Sequence, residues 1–151
     1  MSANDPQIQM AWDIAAQLEH GADPSAAVPA APVELSRSLA PFVMVLDDSG
    51  AVVASSARLR GQLRTPPAGV ADFVREHGEE RVTWQPEPGV RVATVAVRYS
   101  RGAGGVVIVG RSLEETERQI ARFGSLVLIG WLCALAALLV LVAGSEYAIG
   151  K

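Results

Sequence analysis

An uncharged run of 23 residues, FGSLVLIGWLCALAALLVLVAGS at positions 123–145, constrains this chain more than any other feature. Arg122 and Glu146 bound it. A helix of that length, rising 1.5 Å per residue, reaches about 35 Å, beyond a hydrocarbon core of about 30 Å. No polar face interrupts it, so an amphipathic core helix does not fit. The run is expected to be a transmembrane helix. Trp131 lies well inside it, and Tyr147 just beyond it suits the membrane interface. Cys133 falls at mid-span, where an inert thiol is the ordinary state. Gly124, Gly130 and Gly144 do not form GxxxG, so no helix-dimer motif is present. Six residues follow, at 146–151, and no output domain is expected there.

Composition excludes several function classes. The chain has 151 residues and a net charge of −3, so no basic excess points to nucleic acid. One cysteine excludes an intrachain disulfide framework and a CxxC zinc site. His20 and His77 are its only histidines, too few for a His-based metal centre. No metal and no cofactor is expected.

Orientation poses a conflict. Arg111, Arg118 and Arg122 precede the run and only Lys151 follows it. By the positive-inside rule, residues 1–122 would face the cytoplasm, although long flanking domains translocate largely regardless of charge. MSANDPQIQM has neither the basic region nor the apolar core of a signal peptide. Taken literally, this describes a tail-anchored protein facing the cytoplasm.

Ahead of the run the hydrophobic period changes along the chain. Residues 5–19 read as a helix, with Asp5 as N-cap, Pro6 at its first position and Gly21 past its end. Ile8, Trp12, Ala15 and Leu18 follow helical spacing, and Met10 and Ile14 widen the stripe. Residues 22–32 are Ala/Pro-rich and read as a linker, and residues 33–39 as a short second helix. FVMVLD at 42–47 and AVVAS at 51–55, joined by Asp48-Ser49-Gly50, read as a hairpin. Residues 58–68 read as irregular, and residues 70–77 as a helix stopped by Gly78. Glu79 and Glu80 beside His77 read as its solvated end. Strands are expected at 81–85, at 90–99 (alternating, hence half-buried) and at 105–111. Ser112 and Glu115 form a capping box, and no Gly or Pro follows before Gly124. One stiff helix is therefore expected from Ser112 into the membrane. Five short strands joined by hairpin-type turns make an antiparallel sheet in an α+β fold, with an N-terminal helix and a C-terminal transmembrane helix. The divisions are 1–32 (helix and linker), 33–111 (sheet domain), 112–122 (juxtamembrane helix), 123–145 (span) and 146–151 (tail).

The hairpin FVMVLDDSGAVVASS and the order strand-strand-helix-strand-strand-strand resemble PAS-like and Cache-type sensor domains over residues 33–122. Such domains next to a membrane helix resemble the extracytoplasmic sensors of bacterial receptors and sensor kinases. The resemblance implies a first membrane helix before residue 1 and an output module after the span. It also implies a small ligand enclosed between a sheet face and the irregular segment.

Catalytic motifs are absent: the sequence has no GxSxG, no HExxH and no GxxxxGK[ST]. GAGG at 102–105 precedes a strand, the wrong context for a phosphate loop. Asp47-Asp48-Ser49-Gly50 reads as a turn, with too few oxygen ligands for calcium. Candidate ligand-binding residues are Arg58, Arg60, Trp84, Arg91 and Tyr99, since arginine binds carboxylates bidentately and aromatic rings supply contact area.

The sequence therefore predicts a non-enzymatic single-pass membrane protein. Its small extracytoplasmic sensor-like domain would bind a small molecule or a partner. Residues 5–19 and 112–145 are the candidate surfaces for a homodimer or a membrane-protein partner. The alternatives are a membrane-anchored interaction subunit with a filled core and no ligand, and a tail-anchored cytoplasmic adaptor.

Overall fold

The computed structural model describes residues 6–113 and Trp131. The chain divides into two compact units, Met1–Glu114 and Glu115–Lys151. Among the described residues no helix is long and apolar enough to cross a membrane. Apart from Trp131, the expected span at 123–145 lies outside the described residues, as do the Asp5 cap and the helix beyond Leu113.

Among the described residues the elements follow in order: α1 (Pro6–Glu19), α2 (Pro24–Ala27), β1 (Val33–Glu34), β2 (Phe42–Asp47), β3 (Val52–Ser55), β4 (Ala57–Arg58), α3 (Ala68–His77), β5 (Glu79–Glu87), β6 (Val90–Tyr99) and β7 (Gly105–Ser112). The fold is α+β. Its five-stranded sheet is antiparallel, in the order β3-β2-β7-β6-β5. The last strand to form along the chain thus lies at the centre, hydrogen-bonded to β2 on one side and β6 on the other.

Both faces of this sheet are covered. Phe42, Met44, Leu46, Val92, Ala96, Val106 and Ile108 pack on one face with Val70, Ala71 and Val74 of α3. Val43, Val45, Val95, Val97, Val107 and Val109 pack on the other with Ala11, Ile14, Ala15 and Leu18 of α1. Alternate residues of each strand point to opposite faces, so β2 and β7 need apolar residues at nearly every position. The sequence supplies them as FVMVLD and GVVIVG.

The end of α1 is tied to the β6–β7 turn. Ser100 N donates to Glu19 Oε1, and Arg101 Nη1 donates to the Glu19 carbonyl at 3.1 Å. Trp12 Nε1 donates to Glu79 Oε2 at 3.2 Å. The β2–β3 turn is held by Asp47, whose Oδ1 accepts from Ser49 Oγ at 2.6 Å and Ala51 N at 2.9 Å.

Several expectations are corrected. Residues 33–39 contain no helix: Val33 and Glu34 form β1, which pairs in parallel with Ala57 and Arg58 of β4. The stretch 22–32 holds one helical turn, α2, started by Asp23 accepting from Ser25 N. The segment 58–68 begins in β4, and Leu59 and Gln62 then close a two-residue turn by exchanging backbone hydrogen bonds of 2.8 and 3.0 Å. Glu79 and Glu80 open β5 instead of fraying from α3, because Gly78 ends the helix and the chain pairs at once with β6. Strand β6 is buried on both faces rather than one, its Thr94 hydroxyl donating to the Val82 carbonyl at 2.9 Å. Ser112, expected as a helix cap, is buried at the end of β7 opposite Val92.

Candidate functional site

The five residues singled out from sequence do not share one site. Arg58 is half-buried on β4, and its Nη1 donates to the carbonyls of Ser55 (3.1 Å) and Ala57 (2.7 Å). Arg60 is exposed in the next turn, its Nη2 2.5 Å from Glu87 Oε1. Trp84 of β5 packs against the α3-side core, with its indole N–H buried and without a hydrogen-bond partner among the described residues. Arg91 is exposed on β6. Tyr99 is buried on the α1 side, where its hydroxyl donates to the Leu46 carbonyl at 3.3 Å. Trp84 stands opposite Val92 in the β5–β6 ladder, and Tyr99 is seven positions from Val92. An odd separation along a strand reverses the face, so the sheet itself separates the two rings.

A different group of residues encloses a cavity of about 200 Å³. It lies on the α3 side, between the sheet, the β2–β3 turn, residues 65–67 and the start of α3. Its apolar walls are Leu46, Ile108, Val70, Ala71, Pro66 and Pro67. Ser49, Thr65, Asp72 and Arg75 supply its polar groups. Leu46 and Ile108 face inward here by strand parity, and Ala71 by its position one residue past Val70 on the buried face of α3.

Arg75 is the most connected of these side chains. Its Nη1 donates to Asp72 Oδ1, one helical turn earlier, and its Nε lies 3.7 Å from Asp48 Oδ1. The Arg75 carbonyl accepts from Arg98 Nη1 at 2.8 Å, which ties α3 to β6. One guanidinium thus stands between two carboxylates at the edge of an apolar recess. That arrangement can orient a small polar molecule by hydrogen bonding, and it contains no activated nucleophile. None of Arg58, Arg60, Trp84, Arg91 or Tyr99 lines it.

A wider and more open cleft, about 840 Å³, runs between α1 and the α2 region. Met10, Ile14, Val28 and Val43 form its apolar floor, and Gln9, Asp13 and Gln17 its polar rim.

Glu34, Asp47 and Tyr99 have displaced protonation equilibria. The backbone N–H of Arg60 holds the Glu34 carboxyl below the ordinary glutamate range, helped by the Ser36 hydroxyl and Gly61 N–H. Hydrogen bonds from Ser49 and Ala51 do the same for Asp47. Burial raises the Tyr99 phenol, and the charge of Asp47 adds to the effect. Among the described residues, no cluster of His, Cys, Asp and Glu is arranged to hold a metal ion.

The chain matches no known family model, no curated protein and no solved structure.

Proposed function

We propose that this chain is a membrane-anchored sensor-type domain that binds a small polar molecule in the cavity between α3 and the sheet. The observation that carries this reading is the position of Ile108. It forms a wall of the cavity, and it belongs to β7, the central strand that leads toward the uncharged run at 123–145. After Gly110 no Gly or Pro occurs until Gly124. A ligand that shifts Ile108 would push on a strand paired along both edges, and the strand would carry that push toward the membrane. The PAS/Cache-like resemblance remains part of this reading; the five strands of the main sheet and α3 follow in the order strand-strand-helix-strand-strand-strand. The same reading makes residues 123–145 a single membrane span, sets the domain outside the cytoplasm and assigns it no enzymatic activity.

A volume of about 200 Å³ is below the usual range for drug-sized ligands, so the ligand class is a small polar metabolite with a hydrogen-bonding head and a short apolar body. The test uses the full chain in detergent, with thermal unfolding measured against a panel of short carboxylic acids, amines and amino acids. Ala71→Leu, which fills the cavity, is the control. The proposal expects a panel member that raises the melting temperature of the parent and leaves Ala71→Leu unchanged. No stabilising member, or equal stabilisation of both proteins, contradicts it.

A second reading is favoured by the open α1–α2 cleft and by Trp12, which is 49% exposed on α1. It is a membrane-anchored interaction subunit whose partner covers α1. Trp12→Ala would then weaken assembly, read by crosslinking in membranes, without altering the fold.

A further inference from the structure

The one left-handed non-glycine residue among the described residues is Arg60, at φ 53°, and Gly61 follows at φ 77°. Together they form the tight turn closed by the Leu59–Gln62 hydrogen bonds, the two-positive-φ turn in which Asn-Gly is usual. Arginine at its first position is strained, and a contact from outside the turn offsets that strain. That partner is Glu34, 26 residues earlier on β1. Its Oε1 accepts from Arg60 N at 2.8 Å and its Oε2 approaches Gly61 N at 3.4 Å. Ser36 Oγ donates to the same carboxylate at 3.0 Å. Successive backbone N–H groups in such a turn form an anion-binding nest, and here the protein fills the nest with its own carboxylate. The Arg60 guanidinium meanwhile reaches Glu87 at the far end of β5.

The chain leaving this turn reaches the cavity within three residues. Leu63, Arg64 and Thr65 are exposed, and Thr65, Pro66 and Pro67 are the cavity's outer wall. Leu59, at the near end, is anchored in the core, and Val70, beyond the far end, is anchored in α3. We infer that residues 65–67 form a strap over the cavity, tethered through residues 62–64 to the Arg60-Gly61 turn, and that the Glu34 carboxylate is the latch that holds it closed. Release of the latch frees the turn, and the short connection to Thr65 passes the displacement to the wall. This regulation rests on the cavity being the ligand site proposed above, but the latch has readouts that need no ligand.

The test is hydrogen exchange on the full chain in detergent, comparing the parent with Glu34→Ala and Glu34→Gln. It is joined to maleimide labelling of an Ala71→Cys background, in which the introduced thiol reports access to the cavity. Charge-assisted hydrogen bonds from two amides are lost in Glu34→Ala. Exchange at Arg60, Gly61 and Gln62 is therefore expected to rise about tenfold or more, with Glu34→Gln intermediate. Labelling at position 71 is expected to accelerate in parallel, while amides of Met44 and Ile108 stay protected. Arg60→Gly retains both amide donors and removes the strain, and is expected to keep Gly61 protected. Unchanged exchange in Glu34→Ala, faster exchange without faster labelling, or equal loss in Arg60→Gly overturns the latch. None of these results depends on whether a ligand of the panel binds.

Discussion

Tyr99 faces Gly105 across the β6–β7 ladder, and the phenol occupies the space that a side chain at Gly105 would need. A Cβ at Gly105 would meet the Leu46 carbonyl and come within 2.7 Å of Tyr99 Oη. Glycine within a strand marks this kind of close approach. Gly105→Ala should therefore destabilise the domain by about 1–3 kcal/mol, because the main obstacle is backbone on β2 and cannot rotate away. Tyr99→Phe leaves the ring in place but the Leu46 carbonyl without this donor, at a cost of about 0.5–1.5 kcal/mol. Urea unfolding of both variants and the double variant checks the pair. Additivity between two contacting residues would contradict the contact.

Helix α1 is part of the domain, not an appendage of it. Ile14 and Leu18 are 6% and 3% exposed and pack on Val43, Val45 and Val107. Leu18→Ala should cost about 2–5 kcal/mol in a single unfolding transition. A separate early transition, with the sheet unaffected, would show that α1 is merely laid on the surface.

Gly78 gives a cleaner measure of backbone strain. Its φ is 87°, its N–H donates to the Val74 carbonyl at 2.8 Å, and a Cβ there meets nothing within 4 Å. Gly78→Ala therefore meets no neighbour and adds only the backbone strain of a β-carbon at positive φ, and should cost about 1–2 kcal/mol with no change in sheet packing.

Acid should weaken the domain through Glu34 and Asp47. Both have carboxyls held below their ordinary values, so the folded state binds fewer protons than the unfolded chain. Their contribution is complete above about pH 4.5, the ordinary carboxylate range, and is lost as pH falls through the folded values. Unfolding free energy should decline from pH 5 toward pH 2, and Glu34→Gln should flatten that slope. An unchanged slope would show that the Arg60 and Gly61 amides do not hold the carboxylate.

Much of the fold was legible in the sequence because its hairpins are local. Strand β6 ends where its alternation ends, and β2 and β3 flank a turn whose Asp47, Ser49 and Gly50 carry their own hydrogen bonds. Strand β1 was not legible. Two residues paired in parallel with β4 across more than twenty positions leave no periodic trace, and Leu35 and Leu39, four apart after Glu34, favour a helical reading. The covering of both sheet faces was hidden for a related reason: Thr94 and Arg98 give β6 a polar rhythm, yet Thr94 is satisfied inside by Val82. The candidate site was less legible. Trp84 and Tyr99 are separated by strand parity, and the irregularity between Trp84 and Glu87 breaks the simple count across that hairpin. Arg75 carried one signal, its spacing of four from Ala71 on a helix whose buried face is Val70, Ala71 and Val74.

A ligand-binding domain outside the cytoplasm, held by a membrane span at 123–145, is what we propose, and its sidedness can be measured. Ala103→Cys puts a thiol in the exposed β6–β7 turn, and native Cys133 in the parent chain serves as the control. Intact and permeabilised cells are treated with a membrane-impermeant maleimide. The Ala103→Cys chain should be labelled in intact cells and the parent should not. Labelling only after permeabilisation would contradict it and leave a tail-anchored cytoplasmic adaptor as the better description.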